Sequence, residues 1–172
     1  MATHGLAIRA EPVDLTRPPG FDELYRQYSE TVYRTARRIT GNSADAEDVL
    51  QTVFLRLLNR PDAALDVQSS EAYFRRAAAN ASIDVLRRRT VRSETPLEVI
   101  GPQSVQESGP ILKERLRRAI AGLDPQDAEL FLLKYLEGWS SNELADRFGI
   151  ERGTVGSRLF RIRQGLQRVF EQ

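Results

Sequence analysis

The chain has 172 residues, 41% of them hydrophobic and 28% charged, with a formal net charge of +1. That balance excludes a disordered polyelectrolyte, and the absence of cysteine excludes disulfide staples and thiolate metal sites. No apolar run approaches the roughly 20 residues of a membrane span, and the opening MATHGLAIRAEPVDL carries no apolar core of signal-peptide length, so a cytoplasmic protein without membrane insertion is expected.

The charge is unevenly placed. Residues 67–92 carry arginines at 75, 76, 87, 88, 89 and 92 against Glu71 and Asp84, a net of +4. Residues 150–172 carry five arginines against Glu151 and Glu171, a net of +3. Between them, residues 93–110 hold three glutamates and no base. Two basic blocks separated by an acidic strip suit two contacts with a polyanion.

Residues 1–20 contain prolines and no periodicity, and a flexible arm is expected there, including His4, the one histidine of the chain. From Phe21, the residues Leu24, Tyr25, Tyr28, Val32, Ala36 and Ile39 share one helical stripe, broken at Gly41 and Asn42. Ser43 is expected to cap the next helix, with Glu47 close to capping-box spacing. Leu50, Val53, Phe54, Leu57 and Leu58 form its apolar side, and Pro61 stops it. After a loop over 61–70, a third pattern carries Phe74, Ala77, Ala78, Ala81, Val85 and Leu86. Asn80 and Ser82, which prefer caps and turns, leave open whether that helix is continuous.

Residues 93–110 contain three prolines and two glycines and no stripe, which predicts a flexible linker. Beyond it, Leu112, Leu116, Ala119, Ile120 and Leu123 form one stripe. Asp124 before Pro125 is a helix start, and Ala128, Phe131, Leu132, Tyr135 and Leu136 follow until Gly138. Ser140 with Glu143 reads as a capping box. Strand-type alternation is absent throughout. The predicted class is all-α: an arm (1–20), a small bundle (21–92), a linker (93–110) and a second small bundle (111–172).

The stretch NELADRFGIERGTVGSRLFRIR (142–163) has the outline of a helix-turn-helix. Ala145 is small where two helices pack closest, Gly149 supplies a left-handed turn, and Val155 plugs the second helix onto the first. Leu144, Phe148, Ile150, Leu159 and Ile162 are the expected core. Such a second helix lies in the major groove, and Arg152, Thr154, Ser157, Arg158 and Arg161 are its expected outward residues. Gly153 and Gly156 each weaken the helix by roughly 1 kcal/mol relative to alanine, and close backbone approach to DNA is the favoured reason for them. Upstream, AYFRRAAANASIDVLRRRTVR (72–92) interleaves aromatics with arginines. Tyr73 and Phe74 suit base stacking, although Phe74 also suits a core. In NSADAEDVLQTVFLRLLNR (42–60), Asp45, Glu47 and Asp48 favour the helix dipole, which explains them without a metal.

Three segments in this order, DAEDVLQTVFLRLL, NASIDVLRRR and GTVGSRLFRIRQGL, resemble extracytoplasmic-function (ECF) sigma factors of the sigma-70 family. The resemblance implies a transcription initiation factor that binds bacterial core RNA polymerase, through the β′ clamp helices and the β flap, and promoter DNA. It places Asp45, Glu47, Asp48, Gln51, Phe54 and Arg56 at the polymerase. It places Tyr73, Asn80, Ser82, Asp84, Arg87, Arg88 and Arg92 at the −10 element, where a base is flipped, and the helix-turn-helix at the −35 duplex. An anti-sigma factor is an expected partner. The family usually has tryptophan and leucine at Tyr73 and Phe74, an aliphatic residue at Ala77, and often a base at Gly156. No catalytic residue, cofactor or metal is expected. The residues alone leave two other readings: a dimeric helix-turn-helix regulator, and a DNA-processing enzyme with a metal at 45–48.

Overall fold

The computed structural model describes residues 20–59, 70–92 and 109–171, and the described residues are helical with no strand. All but Gly20 of the predicted arm, all but Ser70 of the predicted loop over 61–70 and almost all of the predicted linker lie outside the described residues; Gly20 is the N-cap of the helix that begins at Phe21, and Ser70 opens the third helix. Helices α1 (Phe21–Thr40), α2 (Ser43–Asn59) and α3 (Ser70–Arg92) make the first bundle, and α4 (Gly109–Ala121), α5 (Pro125–Tyr135), α6 (Ser141–Phe148) and α7 (Arg152–Phe170) make the second.

Local chemistry sets most boundaries. Gly41, at φ +83°, ends α1 in the left-handed conformation that glycine adopts without a side-chain clash. The cap of α2 lies one residue before the expected Ser43. Asn42 Oδ1 accepts from the Asp45 N–H at 2.7 Å, and its amide donates to the Asp45 carboxylate at 2.7 Å. Glu47 takes no part in this cap and faces solvent. Asp124 accepts from the Gln126 N–H at 2.9 Å with Pro125 at the first helical position, as expected.

Helix α3 is continuous over 23 residues. Ser82 does not break it, because its hydroxyl donates to the Ala78 carbonyl at 2.7 Å, and Thr90 does the same to Leu86 at 3.0 Å. Each hydroxyl is satisfied within the helix, so neither competes for the backbone. The first core gathers Leu24, Tyr28 and Val32 of α1, Val49, Val53, Phe54 and Leu57 of α2, and Phe74, Ala78, Ala81 and Val85 of α3. Phe74 is fully buried, stacked on Tyr28 at 4.6 Å and on Phe54 at 5.3 Å between ring centroids. It is therefore a packing residue, and base stacking is excluded for it. Leu58, expected in this core, is exposed on the opposite face of α2.

The second bundle has its own core of Leu130, Leu133, Leu144, Val155, Leu159, Ile162 and Leu166. The bundles are not separate bodies. A further cluster joins Ile39 of α1 and Ala79, Ile83 and Leu86 of α3 to Ile120, Ala121, Ala128 and Leu132 of α4 and α5. Leu112 and Tyr135, assigned by spacing to buried stripes, are exposed. The stripe of α4 is rotated so that Ile120 and Ala121 carry the contact with the first bundle.

Ser140 and Glu143 form the predicted capping box: the Glu143 N–H donates to the Ser140 hydroxyl at 3.2 Å, and the Ser140 N–H donates to the Glu143 carboxylate at 2.7 Å. Ser140, first through its side chain and then through its backbone, holds the Glu143 carboxyl below the usual carboxylate range. A depressed carboxyl stabilises the fold fully above its unfolded value, about 4.3, and loses that contribution as pH falls through the lower folded value.

Two outcomes follow from this packing. Phe74→Ala costs about 3–5 kcal/mol and lowers the melting temperature by about 10 °C, read by far-ultraviolet circular dichroism. In an NMR titration, Glu143 ionises below a free glutamate, and Ser140→Ala, which removes the hydroxyl but keeps the backbone N–H, raises it part of the way back. A Glu143 titration unchanged by Ser140→Ala contradicts the capping account.

Candidate nucleic-acid interface

Helix α6, the turn at Gly149 and α7 have helix-turn-helix geometry. Gly149 takes φ +62° and ψ +35°, and its N–H closes α6 onto the Ala145 carbonyl. Leu144, Val155, Leu159 and Ile162 are buried between the helices, with Ala145, Phe148 and Ile150 packed against them. This leaves the other side of α7 in water. Arg152, Ser157 and Arg161 are exposed there and Thr154 is half-buried. Among the described residues neither Arg152 nor Arg161 has a hydrogen-bond or ion-pair partner.

Arg158 departs from the expected set. Its Nε donates to the Asp127 carboxylate of α5 at 3.0 Å, its Nη2 donates to the same oxygen, and the side chain is largely buried. Its position is turned toward the bundle, so it anchors α7 to α5 and does not face a groove. Sequence spacing could not separate it from Arg161, because Asp127 lies 31 positions away. Spacing also missed Phe160, which is 53% exposed on the outward face next to Arg161. Its signal was a large apolar residue beside the buried positions Leu159 and Ile162. A Cβ added at Gly153 or Gly156 meets nothing within 4 Å, so packing within the protein requires glycine at neither.

On α3, Asp84, Arg88 and Arg92 are exposed, and Tyr73 and Asn80 are half-buried. Ser82 is fully buried and bonded to Ala78, so it is a core residue and not a contact. Asp84, Arg87 and Arg88 line an open groove with Thr52, Arg56 and Ala81 between α2 and α3. Three guanidiniums against one carboxylate make it basic. Arg56 belongs to this groove, 3.6 Å from Asp84, and is brought to the α3 residues by the fold. Arg87 is partly committed elsewhere: Nε donates to the Ala121 carbonyl at 3.2 Å and Nη2 to that of Leu123 at 2.9 Å.

The third set divides by helix face. Glu47, Asp48 and Gln51 are exposed together on α2. Leu55 and Leu58 share that face at 58% and 54% exposure, and periodicity assigned Leu58 to the core. Phe54 points the other way, buried against Phe74, with Tyr25 edge-on at 4.8 Å, so it supports this surface without being part of it. Asp45 is tied to Arg89 at 3.1 Å as well as to Asn42. Among the described residues no group of three or more acids and histidines could hold a metal, and no helix is long and apolar enough to cross a membrane.

Comparison with known proteins adds an independent line. Residues 24–92 match the Sigma-70 region 2 family and residues 113–166 match Sigma-70, region 4. The chain is 32% identical over 172 residues to the ECF RNA polymerase sigma factor SigE of Mycolicibacterium smegmatis, covering 95% of this chain and 66% of that protein. It therefore spans just under two thirds of that relative. It is 31% identical over 153 residues to the RNA polymerase sigma-E factor of Streptomyces avermitilis, covering 88% of this chain and 85% of that one. It is 32% identical over 142 residues to the ECF RNA polymerase sigma factor SigL of Mycobacterium tuberculosis, covering 79% and 80%. In fold it resembles the sigma factor RpoE from Bartonella quintana, solved in complex with the anti-sigma factor NepR, with a TM-score of 0.51, 20% identity, and 88% and 96% of the two chains covered.

The two arginines of α7 are expected to separate on substitution. Arg158→Ala strands Asp127 and costs about 1–2 kcal/mol of stability, less than a fully buried pair because water reaches both partners. Arg161→Ala leaves the melting temperature unchanged and weakens binding to the cognate duplex about tenfold. Calorimetry and duplex titration read the two effects. An Arg158→Ala protein that melts like the wild type removes the anchoring role.

Proposed function

The chain belongs to the sigma-70 family, in its extracytoplasmic-function group, and on that premise we propose that it binds bacterial core RNA polymerase, directs it to promoters and assists their melting. The observation that carries the reading is the outward face of α7, where Arg152 and Arg161 stand exposed with no partner among the described residues. An unpaired guanidinium held on a rigid helix is suited to bidentate pairing with guanine, worth about 1–3 kcal/mol of discrimination each.

In this reading residues 111–172 set register on the −35 duplex through Arg152, Thr154, Ser157 and Arg161, with Phe160 beside them. Residues 21–92 engage the −10 element through Tyr73, Asn80, Asp84, Arg88 and Arg92 and the basic groove that includes Arg56. Flipping a base costs a few kcal/mol, and its capture by the first bundle offsets that cost. The exposed face of Glu47, Asp48, Gln51, Leu55 and Leu58 takes the polymerase, because it combines apolar area with a charged rim. Holding both bundles on one polymerase makes the second DNA contact intramolecular. The chain does no bond chemistry, needs no cofactor, works in the cytoplasm, and is held inactive by an anti-sigma partner.

The test is transcription with purified core polymerase on a library of genomic fragments. Promoter-specific initiation that depends on this protein is expected. Initiation no better than core alone, with a folded protein, overturns the proposal.

A further inference from the structure

The outward side of α7 carries a large apolar residue, Phe160. It is 53% exposed, and among the described residues no ring or guanidinium stacks on it. A lone exposed apolar side chain is ordinary on a protein surface. This one stands apart by its surroundings. Gly156 and Gly153 lie four and seven residues toward the start of the helix, and residues so spaced share a helical face. Both are exposed, and a Cβ at either meets nothing within 4 Å. Both weaken the helix relative to alanine. Ser157, beside them, is small, and its hydroxyl donates to the Thr154 carbonyl at 3.0 Å. Helical side chains lean toward the start of the helix, which tilts the Phe160 ring over a strip cleared of side chains.

We propose that Phe160 and the cleared strip at Gly153 and Gly156 form a slot for the 5-methyl group of a pyrimidine in the major groove. The inference rests on the promoter-reading role proposed above and specifies what this face selects. In the major groove the base edges present donors, acceptors and one apolar group, the 5-methyl. A benzyl side chain cannot pair with the polar edges, and the Ser157 hydroxyl is committed to its own helix. The methyl is the group that gains by leaving water against the ring. A side chain at 153 or 156 would fill the space through which the methyl reaches it. Arg161, the next residue, and Arg152, at the start of the helix, stay exposed for polar edges and phosphates.

Thymine and 5-methylcytosine carry this methyl on the same ring carbon and present it at the same place in the groove. The slot therefore answers to cytosine methylation as well as to thymine. Gly156 is a positioning residue here: it contributes no contact of its own and keeps the ring accessible.

The test uses the chain bound to core polymerase on a promoter recovered from the fragment library, with competitive promoter binding as the readout. Each thymine of the −35 element, on both strands, is replaced in turn by uracil, which removes the methyl alone. One position is expected to lose affinity by about fourfold, the value of one buried methyl. Phe160→Ala is expected to melt like the wild type, because the ring is exposed, and to bind the thymine and uracil promoters equally. Gly156→Gln, which fills the space beside the ring, is expected to shrink the thymine–uracil difference. At the same position 5-methylcytosine is expected to bind about fourfold better than cytosine in the wild type, and no better in Phe160→Ala. Uracil tolerated at every position overturns the slot. A uracil loss equal in wild type and Phe160→Ala overturns the assignment to Phe160. A uracil loss without any gain from 5-methylcytosine overturns the shared-methyl reading. Absence of specific binding to the all-thymine promoter overturns the promoter-reading role on which the slot rests.

Discussion

Helix α3 has to bury two faces at once, and the remaining helices are arranged around that demand. Phe74, Ala78, Ala81 and Val85 face α1 and α2, while Ala79, Ile83 and Leu86 face α4 and α5. Small residues where α3 meets its neighbours let helices approach closely, and burial on both sides supplies the dispersion that holds a helix with little one-sided amphipathicity. What is left of α3 after both cores are filled is a narrow polar strip. Asp84, Arg88 and the edge of Arg87 occupy it, and with Arg56 they form the basic groove.

The same demand divides the arginines. Arg75, Arg87, Arg89 and Arg117 each hold a carbonyl or carboxylate across the join between bundles. Buried charge is tolerated only when paired, and among the described residues no fully buried side-chain nitrogen or oxygen is left without a partner. Burial, then the nearby Arg147, disfavours the charged form of Arg76, whose compensating contact is Glu129 at 3.7 Å. Charge on Arg75 is reinforced first by Glu71 and then by Glu137. Arginines that carry the join cannot also be free for a nucleic acid, so the basic block of residues 67–92 is partly structural.

In the second bundle the turn and the caps do the positioning. Asp124, Ser140 and Gly149 fix where α5, α6 and α7 begin or end, and Asp127 pins Arg158. The outward face of α7 is thereby rigid before any ligand arrives. A preorganised helix loses little entropy on binding, which is where a reader of base edges gains its discrimination.

Much of this was legible in the amino-acid order. Most of the α1 stripe, the stripe of α7, the Asp124–Pro125 start, the Ser140–Glu143 box and the Gly149 turn are local features, set by contacts within about four residues. Apart from the α2 cap, which falls on Asn42 and not on Ser43, the assignments that failed are nonlocal. Phe54 and Ser82 point into a core, Leu58 points out of one, and Arg158 is held by a carboxylate 31 positions away. Periodicity locates an apolar face but not its width, so residues at its margins are ambiguous. The contact between bundles was invisible for the same reason: Arg38, Arg75 and Glu137 carry no mark of their pairing until the chain brings them together over 62 to about 100 positions. The sequence by itself determined the all-α class, the caps of α5 and α6 and the family to which the chain belongs. Only the tertiary structure decided which arginines are committed, which remain exposed, and that the two bundles share a core, because pairing across such separations depends on packing that no local pattern encodes.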